Sequence, residues 1–321
     1  EFISDGVSTE LCFILFCLFT LTIIYAGVRN GIERVSKFMM PILIVLSVLI
    51  AVYSVTRPGA MEGVKYFLVP NVKNFSWMTV VAAMGQMFYS LSIAMGILIT
   101  FGSYMKKETS LEDSTRNVEV FDTAIAIMAG LMIIPAVFAF SGGDPDTLQA
   151  GPALMFITIP KVFENMGFGT VVGILFFLLV LFAAVTSSIA LTESAVSTFE
   201  DELGWSRRRA TVLVGVIMIA LGSLSSLGYG PLVGIKIIGM QFLDFFDFLT
   251  NSVMMPIAAM LTSLFVSRIV GMKRMEEEIM HGESTFRRKK IFIVMIKYLC
   301  PVFALIILIS SVANAFGWIA M

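Results

Sequence analysis

A chain of 321 residues that is 58% hydrophobic and only 14% charged, with a mean hydropathy of +0.92, is not an ordinary soluble globule. Its formal charge of -1 hides an uneven distribution of basic residues but nothing suggests nucleic acid, and one histidine, His281, leaves little material for histidine catalysis or a histidine metal site. What remains is an all-α polytopic membrane protein.

Apolar runs at about 8–28, 36–56, 76–104, 119–141, 167–199, 208–227, 237–268 and 290–316 predict eight membrane helices. Basic residues gather after the first, third, fifth and seventh runs, as in Arg207-Arg208-Arg209 and Arg287-Arg288-Lys289-Lys290, which places those loops in the cytoplasm. The Gly- and Pro-bearing loops around Arg57-Pro58-Gly59 and 141–146 then face outward. The first helix therefore runs from outside to inside. Because the chain opens on Glu1 with no initiating segment, we expect an N-terminally truncated fragment, which lacks an odd number of helices if the true N-terminus is cytoplasmic. Cys12, Cys17 and Cys300 lie scattered in apolar runs and read as small core residues.

The third run, 77–104, is longer than the roughly 20 residues of a simple span and carries Gln86, Ser90, Ser92 and Gly96 in its middle. Non-helical backbone at membrane depth is tolerated only where it lines a protein-enclosed cavity, so a broken helix with a binding site is expected here. In the fourth run, Asp122 reads either as an inward-facing carboxylate or as a helix-end acid beside the cytoplasmic surface. The outer loop 142–168 contains LMFITIPKVFENMG, too short to span, which fits a re-entrant hairpin and a packed surface helix equally well.

On the fifth run, Ala183, Thr186, Ser187 and Leu191 share a helix face. The two hydroxyls suit a hard cation, but they also serve as interhelical glue. Asp201 closes this run on the cytoplasmic side. The seventh run holds Asp244, Asp247, Asn251 and Pro256, with Asp247 at the outer edge of the apolar core. The polar stretch 275–290 reads as a solvated connector. No His/Asp metal motif, Cys/His pair or GxSxG elbow points to an enzyme.

Four strings in order, GIERVSKFMMP at 31–41, VAAMGQMFYSLSIAMG at 81–96, FAAVTSSIAL at 182–191 and FEDEL at 199–203, resemble the neurotransmitter:sodium symporter family. The resemblance implies a leucine-transporter-type inverted-repeat fold, with the eight helices corresponding to the family's fourth to eleventh. It implies one transporter domain over 1–321, missing the family's first three helices, in a bacterial cytoplasmic membrane. The implied activity is sodium-coupled symport of a small hydrophobic or aromatic amino acid by alternating access.

By position, Tyr89, Ser92, Met95, Gly96, Ser187 and Leu191 would bind substrate. Ser90 and Asp122 would belong to a first sodium site, and Ala183, Thr186 and Ser187 to a second, each site only partly present. Gln86, Asp247, Tyr104 and Asp201 would serve the gates, Asp247 in the extracellular gate and Tyr104 and Asp201 in the intracellular one. Asp122 stands where the family's leucine transporter has asparagine; a fixed carboxylate there would make transport chloride-independent. The implied partners are an amino acid, sodium ions and the lipid bilayer, with no nucleic acid. Rival readings are a transporter of the same fold for another solute or coupling ion, and a non-transporting membrane sensor.

Overall fold

Seven helices among the described residues are long and apolar enough to cross a bilayer, and the eighth expected span is the one the chain breaks in two. The computed structural model describes residues 5–72, 75–142, 154–164, 167–282 and 285–318. The helices are α1 (Gly6–Tyr25), α2 (Glu33–Val55), α3 (Ala60–Leu68), α4 (Trp77–Ser90), α5 (Ile97–Ser103), α6 (Leu111–Ser141), α7 (Ile159–Glu164), α8 (Gly169–Leu203) and α9 (Arg207–Leu227). They continue with α10 (Phe242–Asp247), α11 (Met255–Phe265), α12 (Met272–Ile279), α13 (Lys289–Val294) and α14 (Cys300–Ala315). Short π-helical stretches join α10 to α11 and α13 to α14, so each pair forms one apolar span, Phe242–Val270 and Lys289–Ala315.

The chain forms two compact units. The first gathers Glu1–Gly31, Ser76–Val118 and Ile189–Met321. In it α1 is apolar on all sides: Cys17, Ile23 and Ile24 are buried, while Leu11, Leu15 and Leu18 stay exposed, the arrangement of a helix with protein on one side and lipid on the other. The side chain of Asp5 caps it by accepting from the Val7 amide at 3.3 Å. Small residues let α1 approach α9, with Gly222 against the ring of Phe13 and Gly215 against Leu21. A second core joins Phe88 of α4 to Met255 and Ala259 of α11 and to Ala304 and Ile307 of α14.

The second unit, Ile32–Phe75 with Glu119–Ser188, is built on Leu43, Leu46 and Ile50 of α2, Met132, Ala136 and Val137 of α6, and Phe176 of α8. Pro135 inside α6 removes one ladder donor, and the Ser54 hydroxyl donates to the carbonyl of Met132 at 2.7 Å close by. Here α3 crosses α6 closely through Gly63, whose added Cβ would stand 2.8 Å from Pro135 Cα. Backbone cannot step aside as a side chain can. Gly63→Ala should therefore cost about 1–3 kcal/mol, read as a lowered unfolding midpoint of the purified protein; an unchanged midpoint would show that α3 is not seated on α6.

Two expectations change. Over the described part of the outer loop there is a π-helical turn, Leu154–Thr158, followed by α7, whose Ile159, Val162 and Phe163 are buried in the core of the second unit. Over these residues the chain is a packed helix, its three apolar side chains at helical spacing covering a protein surface; 143–153 and 165–166 lie outside the described residues. Likewise α6 begins at Leu111 rather than near 119, so Asp122 stands about three turns into the helix.

Candidate functional site

Ser76 opens α4 with a capping box, its hydroxyl accepting from the Thr79 amide at 3.2 Å. The helix then stops within the apolar run. Its last bonds close at Leu91, Ser92 and Ile93, and regular bonding resumes only with the Thr100 amide on the Gly96 carbonyl at 2.9 Å. Between them Ser92, Ala94 and Gly96 all take left-handed backbone conformations, with φ of 54°, 63° and 79°. Two of the three are not glycine, and left-handed geometry costs such residues about 1–2 kcal/mol each. Strain of this kind persists where the surroundings over-determine it, as at ligand sites.

On the α4 side of the break a cavity of about 410 Å³ opens against α10, α11 and α14. Its polar groups come from Gln86, Tyr89, Asp247, Asn251 and Ser311, and its apolar wall from residues such as Phe88 and Ile307. Asp247 is held by Asn251, whose side-chain amide donates to Oδ1 at 2.6 Å. The π-helical stretch Phe248–Met254 begins directly after this acid. Three expected residues, Gln86, Tyr89 and Asp247, are thus brought to one cavity. Met95 and Ala94 instead pack against the core around Phe88 and Met255. Ser90 and Ser92 are half-buried on either side of Leu91.

Past α5 the chain builds a charged network that its spacing does not announce. Glu193 of α8 is fully buried, and Arg207 at the start of α9 meets both its oxygens, Nη1 to Oε1 at 3.1 Å and Nη2 to Oε2 at 2.5 Å. Arg207 also donates to the Ile24 carbonyl at 2.8 Å and to Glu200 Oε2 at 3.3 Å. The hydroxyl of Tyr104 donates to Glu193 Oε1 at 2.7 Å. Tyr104 is thus paired with Glu193, while Asp201 is exposed. The one available sequence signal for Glu193 is an acid inside an apolar helix, followed 14 residues later by the first of three arginines.

In the second unit, Thr186 donates to its own helix, to the carbonyls of Phe182 at 3.1 Å and Ala183 at 3.0 Å, which sets its oxygen beside that of Ala183. Ser187 is exposed on the next position, and Leu191, exposed as well, lies one turn further along α8. Asp122 is half-buried on α6. Among the described residues no cluster of three or more His, Cys, Asp or Glu side chains could hold a metal ion.

A broken membrane helix and an oxygen-bearing helix face are each what the sequence resemblance implies, and the comparison of whole chains decides the family. The pattern described as the sodium:neurotransmitter symporter family matches residues 3–317. The chain belongs to that family. It is a family of transporters rather than enzymes, and this member is a multi-pass membrane protein with bacterial relatives. It is 34% identical to the uncharacterized sodium-dependent transporter YhdH of Bacillus subtilis, over 88% of this chain and 62% of the relative. It is 32% identical to an uncharacterized sodium-dependent transporter of Haemophilus influenzae, over 93% of this chain and 64% of that one.

The chain thus spans a little under two thirds of the length of these symporter relatives. Among solved structures, the crystal structure of MhsT in complex with L-phenylalanine matches with a TM-score of 0.83 at 35% identity, over 97% of this chain and 69% of that one. The two share the leucine-transporter-type fold.

Proposed function

We propose that this family member carries out sodium-coupled uptake of a small hydrophobic or aromatic amino acid by alternating access, with residues 1–321 acting as one transporter domain and its helices corresponding to the family's fourth to eleventh. The observation that carries the reading is the break at 91–96, whose freed backbone groups are costly in lipid and useful only against a polar ligand. MhsT, captured with L-phenylalanine, supports an apolar amino acid as the cargo.

In this reading Tyr89, Ser92, Met95, Gly96, Ser187 and Leu191 bind the substrate. Ser90 and Asp122 serve one sodium ion. The Ala183 carbonyl and the hydroxyls of Thr186 and Ser187 serve another; the hydrogen bond from the Thr186 hydroxyl to the Ala183 carbonyl at 3.0 Å supports that pairing. Gln86 and Asp247 act in the outer gate, Tyr104 and Asp201 in the inner one. Sodium and the substrate carboxylate offset each other's charge, so each strengthens the binding of the other. Asp122 supplies a permanent negative charge and makes the cycle chloride-independent.

The test is uptake of a labelled amino-acid panel by proteoliposomes holding the full-length protein. Accumulation of an apolar amino acid under an inward sodium gradient, unchanged when gluconate replaces chloride, is the expected result. Equal, non-accumulating signals in sodium and potassium would overturn sodium coupling, and uptake lost without chloride would overturn the role of Asp122.

A further inference from the structure

Three hydroxyls and one carbonyl converge where α5 meets the last turns of α8. Thr100 Oγ1 lies 3.4 Å from Ser194 Oγ and 3.3 Å from Ser197 Oγ, and Ser194 Oγ lies 3.5 Å from the carbonyl oxygen of Met95. Thr100, Ser194 and Ser197 are all more than nine-tenths buried. The Met95 carbonyl belongs to the unwound stretch before α5. The neighbouring Gly96 comes so close to Ser194 that an added Cβ would meet its hydroxyl at 2.5 Å, which leaves that side chain little freedom.

Hydroxyl hydrogen bonds cluster near 2.7–2.8 Å, so these contacts are all slack. Their common length has another meaning. Oxygens held about 2.4 Å from a hard cation stand about 3.4 Å apart along the edge of an octahedron, whereas magnesium, at about 2.1 Å, would draw them to about 3.0 Å. Ser197 spends its proton on the Ser194 carbonyl at 3.1 Å, which leaves its lone pairs for the cluster. None of the four ligand oxygens is charged, a set suited to a monovalent ion rather than a divalent one.

The surroundings favour a cation too. Next to Ser194 along α8, Glu193 accepts from the Tyr104 hydroxyl and shares the positive charge of Arg207 with Glu200. Within this network two formal negative charges face one positive charge.

We infer that Thr100, Ser194, Ser197 and the Met95 carbonyl form a further sodium-ion site, which ties the inner half-helix α5 to α8 when filled. The inference needs no assignment of the amino acid.

The experiment is equilibrium binding of radioactive sodium to the purified full-length protein. Thr100→Val keeps the side-chain shape and removes the oxygen; it should bind one sodium fewer per protein than the wild type, and Thr100→Ser should restore that ion. The same loss should appear when Thr100→Val is added to a Thr186→Val, Ser187→Ala background, which separates this ion from the one proposed at those two residues. If Thr100→Val does not fold, Ser197→Ala carries the same expectation. An unchanged sodium count in a folded variant would overturn this site and leave the symporter reading intact. No sodium bound by the wild type would overturn both.

Discussion

Replacing Arg207 with leucine should destabilise the protein by about 3–5 kcal/mol, because the change strands a buried carboxylate. Glu193 is 0% exposed and takes both of its oxygens to Arg207, with the Tyr104 hydroxyl as a further donor among the described residues. The same guanidinium satisfies the Ile24 carbonyl in the last turn of α1, where a cation also complements the helix dipole. One substitution therefore loosens α1, α8 and α9 together. The double variant Glu193→Leu, Arg207→Leu should recover most of the loss, since an apolar pair needs no partner and a buried ion pair is rarely worth much more than the cost of desolvating it. Unfolding midpoints in detergent for the wild type, both single variants and the double variant close the cycle. A loss below about 1 kcal/mol in Arg207→Leu would mean that water reaches Glu193 and that the pair behaves as an exposed one.

What the sequence makes legible follows from what the bilayer enforces. A hydrocarbon layer about 30 Å thick demands apolar runs of fixed length, so the spans can be read from composition alone. The break in the third run is legible for the same reason: Gln86, Ser90 and Ser92 are polar groups that a plain span would not carry. Its position is recovered to within a few residues, the bonds failing between Ile93 and Thr100. Cysteine reads less uniformly, for Cys17 is buried whereas Cys12 is exposed on the same helix.

The Glu193–Arg207 pair is not legible, because Arg207 reads as one base among three that orient a loop, and a separation of 14 residues has no meaning in a single helix. Only the turn at Gly204, with φ of 63°, folds α9 back so that the two meet. The choice between hairpin and packed helix in the outer loop is similar. It depends on whether a protein surface waits for Ile159, Val162 and Phe163, which no local pattern contains.

Gly96 makes the sharpest test of the broken helix. Gly96→Ala should cost about 2–5 kcal/mol, the sum of two separable effects. One is conformational: at φ of 79° a Cβ is strained by about 1–2 kcal/mol whatever surrounds it. The other is steric, from a methyl placed 2.5 Å from Ser194 Oγ, worth about 1–3 kcal/mol in a well-packed site. Ser194→Ala removes that oxygen and leaves Cβ, at 3.9 Å, as the nearest remaining atom, so the double variant should regain the steric part and keep the conformational one. Gly85→Ala is the control, since its Cβ would meet nothing within 4 Å and alanine is the better helix former by about 1 kcal/mol. Unfolding midpoints of the four proteins read the partition directly. A double variant as unstable as Gly96→Ala would place the whole cost in the backbone, whereas a fully restored one would mean that the chain at 96 is free to leave the left-handed region and that α5 is not held where it begins.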